Sequence, residues 1–382
     1  MSDQITCLIC GNGTHSIARH LKEGHPGTTL EEYKERFPDA PLISEKVKQF
    51  MEKKKREKEA EQVSETTESI KKPLYEVFGF NENDAGMKST TTGKAIQVSV
   101  LDTSHYTTED EVHIPRVDTD YVMKADVLKI VMFAMETNTP TLIWGMQGTG
   151  KTSIIEQVCA RTKRPASRIQ HSRDTEQSHI VGQWLVKNGE TQFELGPLAV
   201  AMRRGYVYIA DEYDFAMPSV SALYQAVMEG NPLFIKEADE ANRVIHPHPN
   251  FRFFATGNTN GTGDETGLFQ GTMIQNAANY ERFGIVLEAQ YLPPAAEEVI
   301  LKNKIGLDDE SASKFVRYAN VTREAFKSGS ISIPMSPRSL LYAAKAGVAF
   351  GSYTKGLELA YISRLDSASA QTARESAQRI FK

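Results

Sequence analysis

The feature that most narrows what this chain can fold into is Gly145-Met146-Gln147-Gly148-Thr149-Gly150-Lys151-Thr152, which fits G-x-x-x-x-G-K-[ST] at every fixed position. A short apolar run, Thr141-Leu142-Ile143-Trp144, precedes it, and Ile154, Ile155, Val158 and Cys159 follow at helical spacing. A buried strand, a glycine-rich turn and a helix in that order let backbone N–H groups turn inward around phosphate oxygens, at a helix N-terminus carrying partial positive charge. Such a strand needs a parallel sheet around it, covered on both faces. Tyr206–Ala210, Phe251–Ala255 and Ile285–Leu287 read as further strands, and Lys151–Thr162, Pro197–Arg204 and Leu223–Met228 as helices between them. The expected fold class is an α/β P-loop core, a parallel sheet flanked by helices. After Pro293-Pro294 the pattern is wholly helical, over residues 295–305, 309–327, 338–350 and 354–379.

Composition divides the rest. Residues 1–44 hold a Cys/His cluster and read as a small zinc-finger-like module. Residues 45–72 carry nine basic and seven acidic side chains, with neither Gly nor Pro, and predict a solvated helix or a flexible tether. Residues 73–293 form the nucleotide-binding domain and 294–382 a helical lid. A net charge of −5 excludes a global positive field recruiting nucleic acid or an anionic membrane. No apolar run approaches the ~20 residues of a membrane span, and Met1-Ser2-Asp3-Gln4 lacks the start of a secretory signal, so the expected address is the cytoplasm.

The candidate chemistry is ATP hydrolysis. Lys151 would neutralise the outer phosphates and the Thr152 hydroxyl would hold Mg²⁺. Asp211-Glu212 ends a buried strand, where parallel sheets bind ligands. There Asp211 would reach Mg²⁺ through water and Glu212 would polarise the attacking water. Asn258, ending another strand, could orient that water. Arg282 could project to a neighbour's nucleotide, and Ser336-Pro337-Arg338 reads as a helix start holding Arg338 towards the nucleotide. For both arginines an ordinary surface salt bridge is the competing reading. Intact Glu212, Asn258 and Arg282 argue against a switch that binds nucleotide without hydrolysing it.

These motifs, in this order, resemble the AAA+ family, its MoxR-like branch and, within it, the CobS-type ATPases of aerobic cobaltochelatase. The resemblance rests on Tyr75–Gly79, the phosphate loop, Ile209–Asp214, His246–Asn250, Phe254–Thr259, Gly263–Leu268, Tyr291–Pro293 and Met335–Arg338. The resemblance implies a homo-oligomeric ring, a hexamer, with Arg282 as the finger supplied in trans and Arg338 as sensor 2. It also implies a partner with a von Willebrand A-type (CobT-like) domain, ATP-driven metal insertion, and two hairpin insertions facing the pore or a partner. The first would span Ile180–Gly196, with Asn188-Gly189 as its turn. The second would span Leu233–Pro249. Trp184 on the first either touches substrate or packs on its own hairpin.

Residues 1–72 depart from that family. Cys7 and Cys10, then His20 and His25, give C-x₂-C-x₉-H-x₄-H, a set suited to tetrahedral zinc, with His15 as a spare. His20 and His25 converge only if the helix over Ser16–Glu23 ends between them, at Gly24. The segment Arg19–Phe37 resembles the small zinc fingers of Ros/MucR-type regulators. Residues 1–40 carry four basic and six acidic side chains, so docking to a protein is favoured over nucleic acid. The added module points to a rewired system, of the kind a phage could encode. The competing reading is a DNA-targeted AAA+ motor, motivated by the finger and Lys53–Arg56.

Overall fold

The computed structural model describes residues 4–48, 69–187, 189–264 and 266–382. The chain divides into two compact units, residues 1–66 and 67–382.

In the first unit, β1 (Ile5–Thr6) pairs antiparallel with β2 (Gly13–Thr14), followed by α1 (Ile17–Gly24) and α2 (Leu30–Arg36). Thr29 and Glu32 close a capping box at the start of α2. Among the described residues its core is Cys7, Ile17, Leu21 and Tyr33 with a rim of half-buried neighbours. Modules this small usually need a staple, and the cysteines are not disulfide-bonded.

The second unit opens with β3 (Ser69–Pro73), paired antiparallel with β4 (Gln97–Leu101). The charged tether expected through residue 72 therefore loses its last four residues to this strand. Lys71 Nζ anchors it, donating to Ser99 Oγ (2.7 Å) and Glu136 (2.5 Å). Most of that tether, residues 49–68, lies outside the described residues. Then come α3 (Ala125–Thr137), β5 (Thr141–Trp144), α4 (Lys151–Thr162), β6 (Ala166–Gln170), β7 (Gly182–Lys187), β8 (Glu190–Leu195), α5 (Pro197–Arg204) and β9 (Val207–Asp211). They are followed by α6 (Tyr224–Met228), β10 (Leu233–Phe234), β11 (Val244–Ile245), β12 (Arg252–Gly257), α7 (Ala277–Glu281) and β13 (Ile285–Glu288).

Strands β13-β5-β12-β9-β6 form one parallel sheet in that order. β9 and β12 lie inside it and are buried throughout, which is why their sequences are nearly unbroken apolar runs. Alternation splits β9 between two cores. Val207 and Ile209 join Leu128, Val131, Ile155 and Val158 on the α3/α4 face, while Tyr208 and Ala210 join Leu198, Met202 and Tyr224 on the other. The edge strand β6 was not foreseen. Its sequence Ala-Ser-Arg-Ile-Gln has no apolar run because an edge strand buries only part of itself. Connections reverse direction at β5, so its carboxyl end opens a crevice beside β12.

The C-terminal helices are α8 (Pro294–Ile305), α9 (Asp309–Lys327), α10 (Pro337–Ala349), α11 (Tyr353–Ala360) and α12 (Ser367–Phe381). The single helix expected over 354–379 is thus two, broken at Ile362–Arg364 and restarted where Asp366 caps the N–H groups of Ala368 and Ser369. Helices α10 and α11 cross at Gly347 and Gly356. A Cβ on Gly356 would stand 2.5 Å from the Gly347 nitrogen. Their shared core includes Phe315, Tyr318, Met335, Leu340 and Leu357.

Candidate functional site

The loop after β5 is shaped by glycines at 145, 148 and 150, with φ of 142°, 77° and 83°, a region that L side chains rarely adopt. A Cβ on Gly145 would collide with the Ala289 carbonyl oxygen, and one on Gly148 would stand 3.2 Å from Pro337 Cδ. The loop is thus wedged between the sheet and the start of α10. Gly150 is the N-cap of the 12-residue α4, and Thr149 Oγ1 donates back to the Met146 carbonyl (2.8 Å). Gln147 is exposed at the tip. Lys151 Nζ donates to the carbonyls of Gly145 (2.7 Å) and Met146 (3.1 Å) and to Asn258 Oδ1 (3.1 Å). Burial pulls this ammonium down to about 8, against the carboxylates of Asp214, Asp211 and Glu212 and with the help of Arg338.

Asp211 is the hub of the acidic half. Its Oδ1 accepts from Thr152 Oγ1 (2.7 Å) and from the Thr256 hydroxyl, and its Oδ2 accepts from Arg168 Nε (3.0 Å) and Nη2. Burial would raise this carboxyl, but the Thr256, Thr152 and Arg168 bonds outweigh it and hold it below the usual carboxylate range. Thr152 and Asp211, one hydroxyl and one carboxylate oxygen in contact at a helix N-terminus, are a donor set suited to Mg²⁺. Glu212 Oε2 accepts from Gln170 Nε2 (2.7 Å). Asn258 is held by its backbone N–H on Asp214 Oδ2 (2.8 Å), which also takes the Thr259 N–H (2.9 Å).

The structure brings Lys151, Thr152, Asp211, Glu212 and Asn258 together, with Arg338 across the loop. The Arg338 nitrogen would lie 3.5 Å from a Cβ on Gly148, and Ser336 caps α10 by accepting from the Ser339 N–H (3.1 Å) with Pro337 at the first turn. Arg282 stands apart. Its Nε donates to Glu229 (2.6 Å) and its Nη1 to the Ala278 carbonyl (2.7 Å), the salt-bridge geometry weighed in the sequence. Sequence reasoning missed Arg168, Gln170, Thr256 and Asp214 as supports of the site. Arg168 and Gln170 went unseen with their strand β6, whereas Thr256 and Asp214 stood inside the motifs already singled out.

Both hairpins form. β7 and β8 pair from Gly182↔Leu195 to Lys187↔Glu190, and β10 pairs with β11. Asn188, half of the expected turn, lies outside the described residues. Trp184 packs edge-on against Phe193 with ring centroids 5.6 Å apart and donates Nε1–H to the Glu237 carbonyl (2.7 Å), so the two hairpins are tied together. It packs on its own hairpin and remains 47% exposed.

In the first unit, ligand atoms of Cys7, Cys10, His20 and His25 all lie within 4.8 Å of one another. Cys10 Sγ is 3.2 Å from His20 Nε2 and Cys7 Sγ 4.0 Å from His25 Nε2. Bonds of 2.0–2.3 Å in a tetrahedron put ligand atoms about 3.5 Å apart, so this set fits zinc. Convergence is achieved because α1 ends at Gly24 and His25 is its C-cap. The Tyr33 hydroxyl steadies the cysteine turn, accepting from the Leu8 N–H (3.0 Å). Burial would raise the Cys7 thiol, yet the Ile9 and Cys10 N–H groups outweigh it and leave it lowered, as a thiolate ligand needs. His15 is engaged elsewhere, with Nδ1 on Ser44 Oγ at 2.9 Å.

Among the described residues no helix is long and apolar enough to cross a membrane. Three family profiles match the chain. Residues 140–272 match the AAA domain (dynein-related subfamily), 297–379 the CbbQ/NirQ/NorQ C-terminal family, and 1–72 the ROS/MUCR transcriptional regulator protein family. Aerobic cobaltochelatase subunit CobS from Sinorhizobium sp is 33% identical over 280 residues, covering 71% of this chain and 84% of that protein. Protein NorQ from Paracoccus denitrificans (strain Pd 1222) is 26% identical over 59% of this chain and 79% of its own length. Von Willebrand factor A domain-containing protein 8 from Mus musculus is 28% identical over 42% of this chain, which is 9% of that protein.

Proposed function

The chain belongs to the CobS-type family of AAA+ ATPases, with a Ros/MucR-like module at its N-terminus, and from that premise we propose that it works as a ring that spends ATP hydrolysis on remodelling a partner protein. The observation that carries the reading is the convergence of Lys151, Thr152, Asp211, Glu212 and Asn258 at the carboxyl ends of three neighbouring strands. Loop N–H groups from Gly145 to Lys151 and the α4 N-terminus bind the phosphates, and Lys151 turns its ammonium from the loop carbonyls to their oxygens. Thr152 would hold Mg²⁺ directly and Asp211 through water, and the ion would supply charge neutralisation on the phosphates. Glu212, steadied by Gln170, takes the proton of the attacking water, and Asn258 orients that water. Arg338 approaches from the helical domain.

Arg282 contacts none of these groups in its own chain, which supports a role at the nucleotide of the next subunit in a ring, taken here as a hexamer. A von Willebrand A-type partner is supported by a relative whose name carries that domain and by the subunit status of CobS. Metal chelation by the assembly is the narrower form of the same proposal, and the cytoplasm is the compartment it implies. Zinc in the N-terminal module would order a docking surface for a protein.

The test is steady-state ATPase of the full chain alone, with duplex or single-stranded DNA, and with the product of a neighbouring von Willebrand A-type gene. Stimulation by that partner, and not by DNA, is the expected outcome. The Ros/MucR match favours one other reading, a DNA-targeted motor. Stimulation by DNA alone, falling steeply with salt, would replace the proposal with it.

A further inference from the structure

Among the described residues three non-glycine residues have positive φ: Asn138, Lys163 and Glu212. Asn138 and Lys163 are the C-caps of α3 and α4, where a left-handed residue is commonplace. Glu212, with φ 52° and ψ 42°, is not a helix C-cap. It follows β9 and leads into the short turn Tyr213–Phe215. The left-handed region is costly for a glutamate, so contacts must hold it there: its carbonyl accepts the Phe215 N–H (2.9 Å) and its N–H donates to Thr256 Oγ1 (3.3 Å).

A further, fully buried set of contacts converges on the carbonyl of the 211–212 peptide. The Asp211 oxygen accepts the backbone N–H of His171 (2.8 Å), one step past the β6–β9 ladder, and lies 3.0 Å from His171 Nδ1. His171 is 1% exposed. Its Nε2 lies 2.7 Å from the Tyr224 hydroxyl, which lies 2.9 Å from the Tyr208 hydroxyl, and both tyrosines are fully buried. One proton arrangement satisfies the row. A carbonyl oxygen only accepts, so Nδ1 carries the hydrogen, Nε2 accepts from Tyr224, and Tyr224 accepts from Tyr208.

We infer that His171 is a positioning residue for hydrolysis: by donating from Nδ1 to the Asp211 carbonyl it holds the 211–212 peptide in the orientation that keeps Glu212 left-handed, with its carboxylate on Gln170. Tyr224 sets the tautomer that makes this donation available. Neither residue touches the nucleotide loop, so the effect belongs to the water-activating step and not to ATP binding. The inference rests on the reading of Glu212 as the base.

The experiment compares full-length His171→Leu, His171→Asn, Tyr224→Phe and Glu212→Gln by ATP-dependent turnover and by equilibrium ATP binding. In His171→Leu, kcat should fall about tenfold, a barrier change of about 1.4 kcal/mol, with ATP affinity held within about twofold. In His171→Asn the side-chain amide stands where Nδ1 stood, and turnover should recover to within about threefold of the parent. Tyr224→Phe loses one hydroxyl and should lower kcat severalfold at unchanged affinity, and it decides the matter if His171→Leu does not fold. Unchanged kcat in His171→Leu or Tyr224→Phe, equal losses of kcat and affinity, or an Asn variant no better than Leu would each overturn the inference. If Glu212→Gln is inactive in the same series, that failure is confined to His171. If Glu212→Gln turns over normally, the base assignment falls and this inference with it.

Discussion

Glu297 and Arg323, on α8 and α9, form a bidentate pair with both bonds at 2.8 Å and exposures of 2% and 5%. Arg323 also donates Nε–H to the Met335 carbonyl (3.0 Å), and its guanidinium carbon lies 4.0 Å over the Tyr291 ring. One side chain thus joins two helices to the segment that leads directly into Ser336 and Arg338. Replacing Glu297 by Leu leaves a guanidinium buried without its counter-ion, which costs about 3–5 kcal/mol. At this chain length each kcal/mol moves Tm by roughly 2 °C, so the fall should be about 6–10 °C. The double variant Glu297→Leu, Arg323→Met removes the orphan charge and should recover much of that loss. A deficit of about 1–3 kcal/mol should persist, because the Met335 carbonyl loses its buried donor. Urea titration and thermal melts of the three chains, followed by circular dichroism without nucleotide, make the measurement. A single variant within about 1 kcal/mol of the parent would show the pair behaving as an exposed one and refute the reasoning. So would a double variant less stable than the single.

Other outcomes follow from the site. Lys151 stands at about 8 in the free protein, and phosphate binds its charged form, so the ammonium is half charged at pH 8 and about one-eleventh charged at pH 9. ATP affinity, by titration calorimetry, should therefore hold near pH 7 and weaken about fivefold from pH 8 to 9, and a flat profile would contradict the burial argument. Arg282→Ala should bind ATP and lose turnover, and mixing it with Glu212→Gln chains should restore activity. Failure of mixed assemblies to recover would leave Arg282 with its structural contacts to Glu229 and the Ala278 carbonyl. By atomic absorption, zinc should accompany the parent chain and the His15→Ala variant but not Cys10→Ser, since His15 bonds Ser44 outside the cluster. Zinc retained by Cys10→Ser would break the four-ligand assignment.

Much of the site was legible because its chemistry is local in sequence. The glycine spacing of 145–152 demands a turn that glycine tolerates best, and the apolar runs ending in Asp211-Glu212 and before Asn258 read as buried strands beside it. What escaped came from strands and helices whose character is set by neighbours. β6 was unreadable because Arg168 and Gln170 interrupt its apolar side, and those two residues are the ones that reach Asp211 and Glu212. The break between α11 and α12 escaped because helical periodicity runs on through it, while Asp366 acts as a cap that the pattern hides.

By itself, then, the sequence determined the phosphate cradle, the acidic pair, the parallel sheet behind them and the four metal-ligand candidates, since each depends on residue type and short spacing. Tertiary structure alone decided which groups hold those residues in place. Arg168, Thr256 and Asp214 lie 43, 45 and 44 positions from the residues they bond, and only the sheet's strand order brings them within reach. It also decided that Glu212 adopts a left-handed backbone, with His171 on the carbonyl of the 211–212 peptide and Thr256 on its N–H, two residues that lie far from Glu212 in the chain.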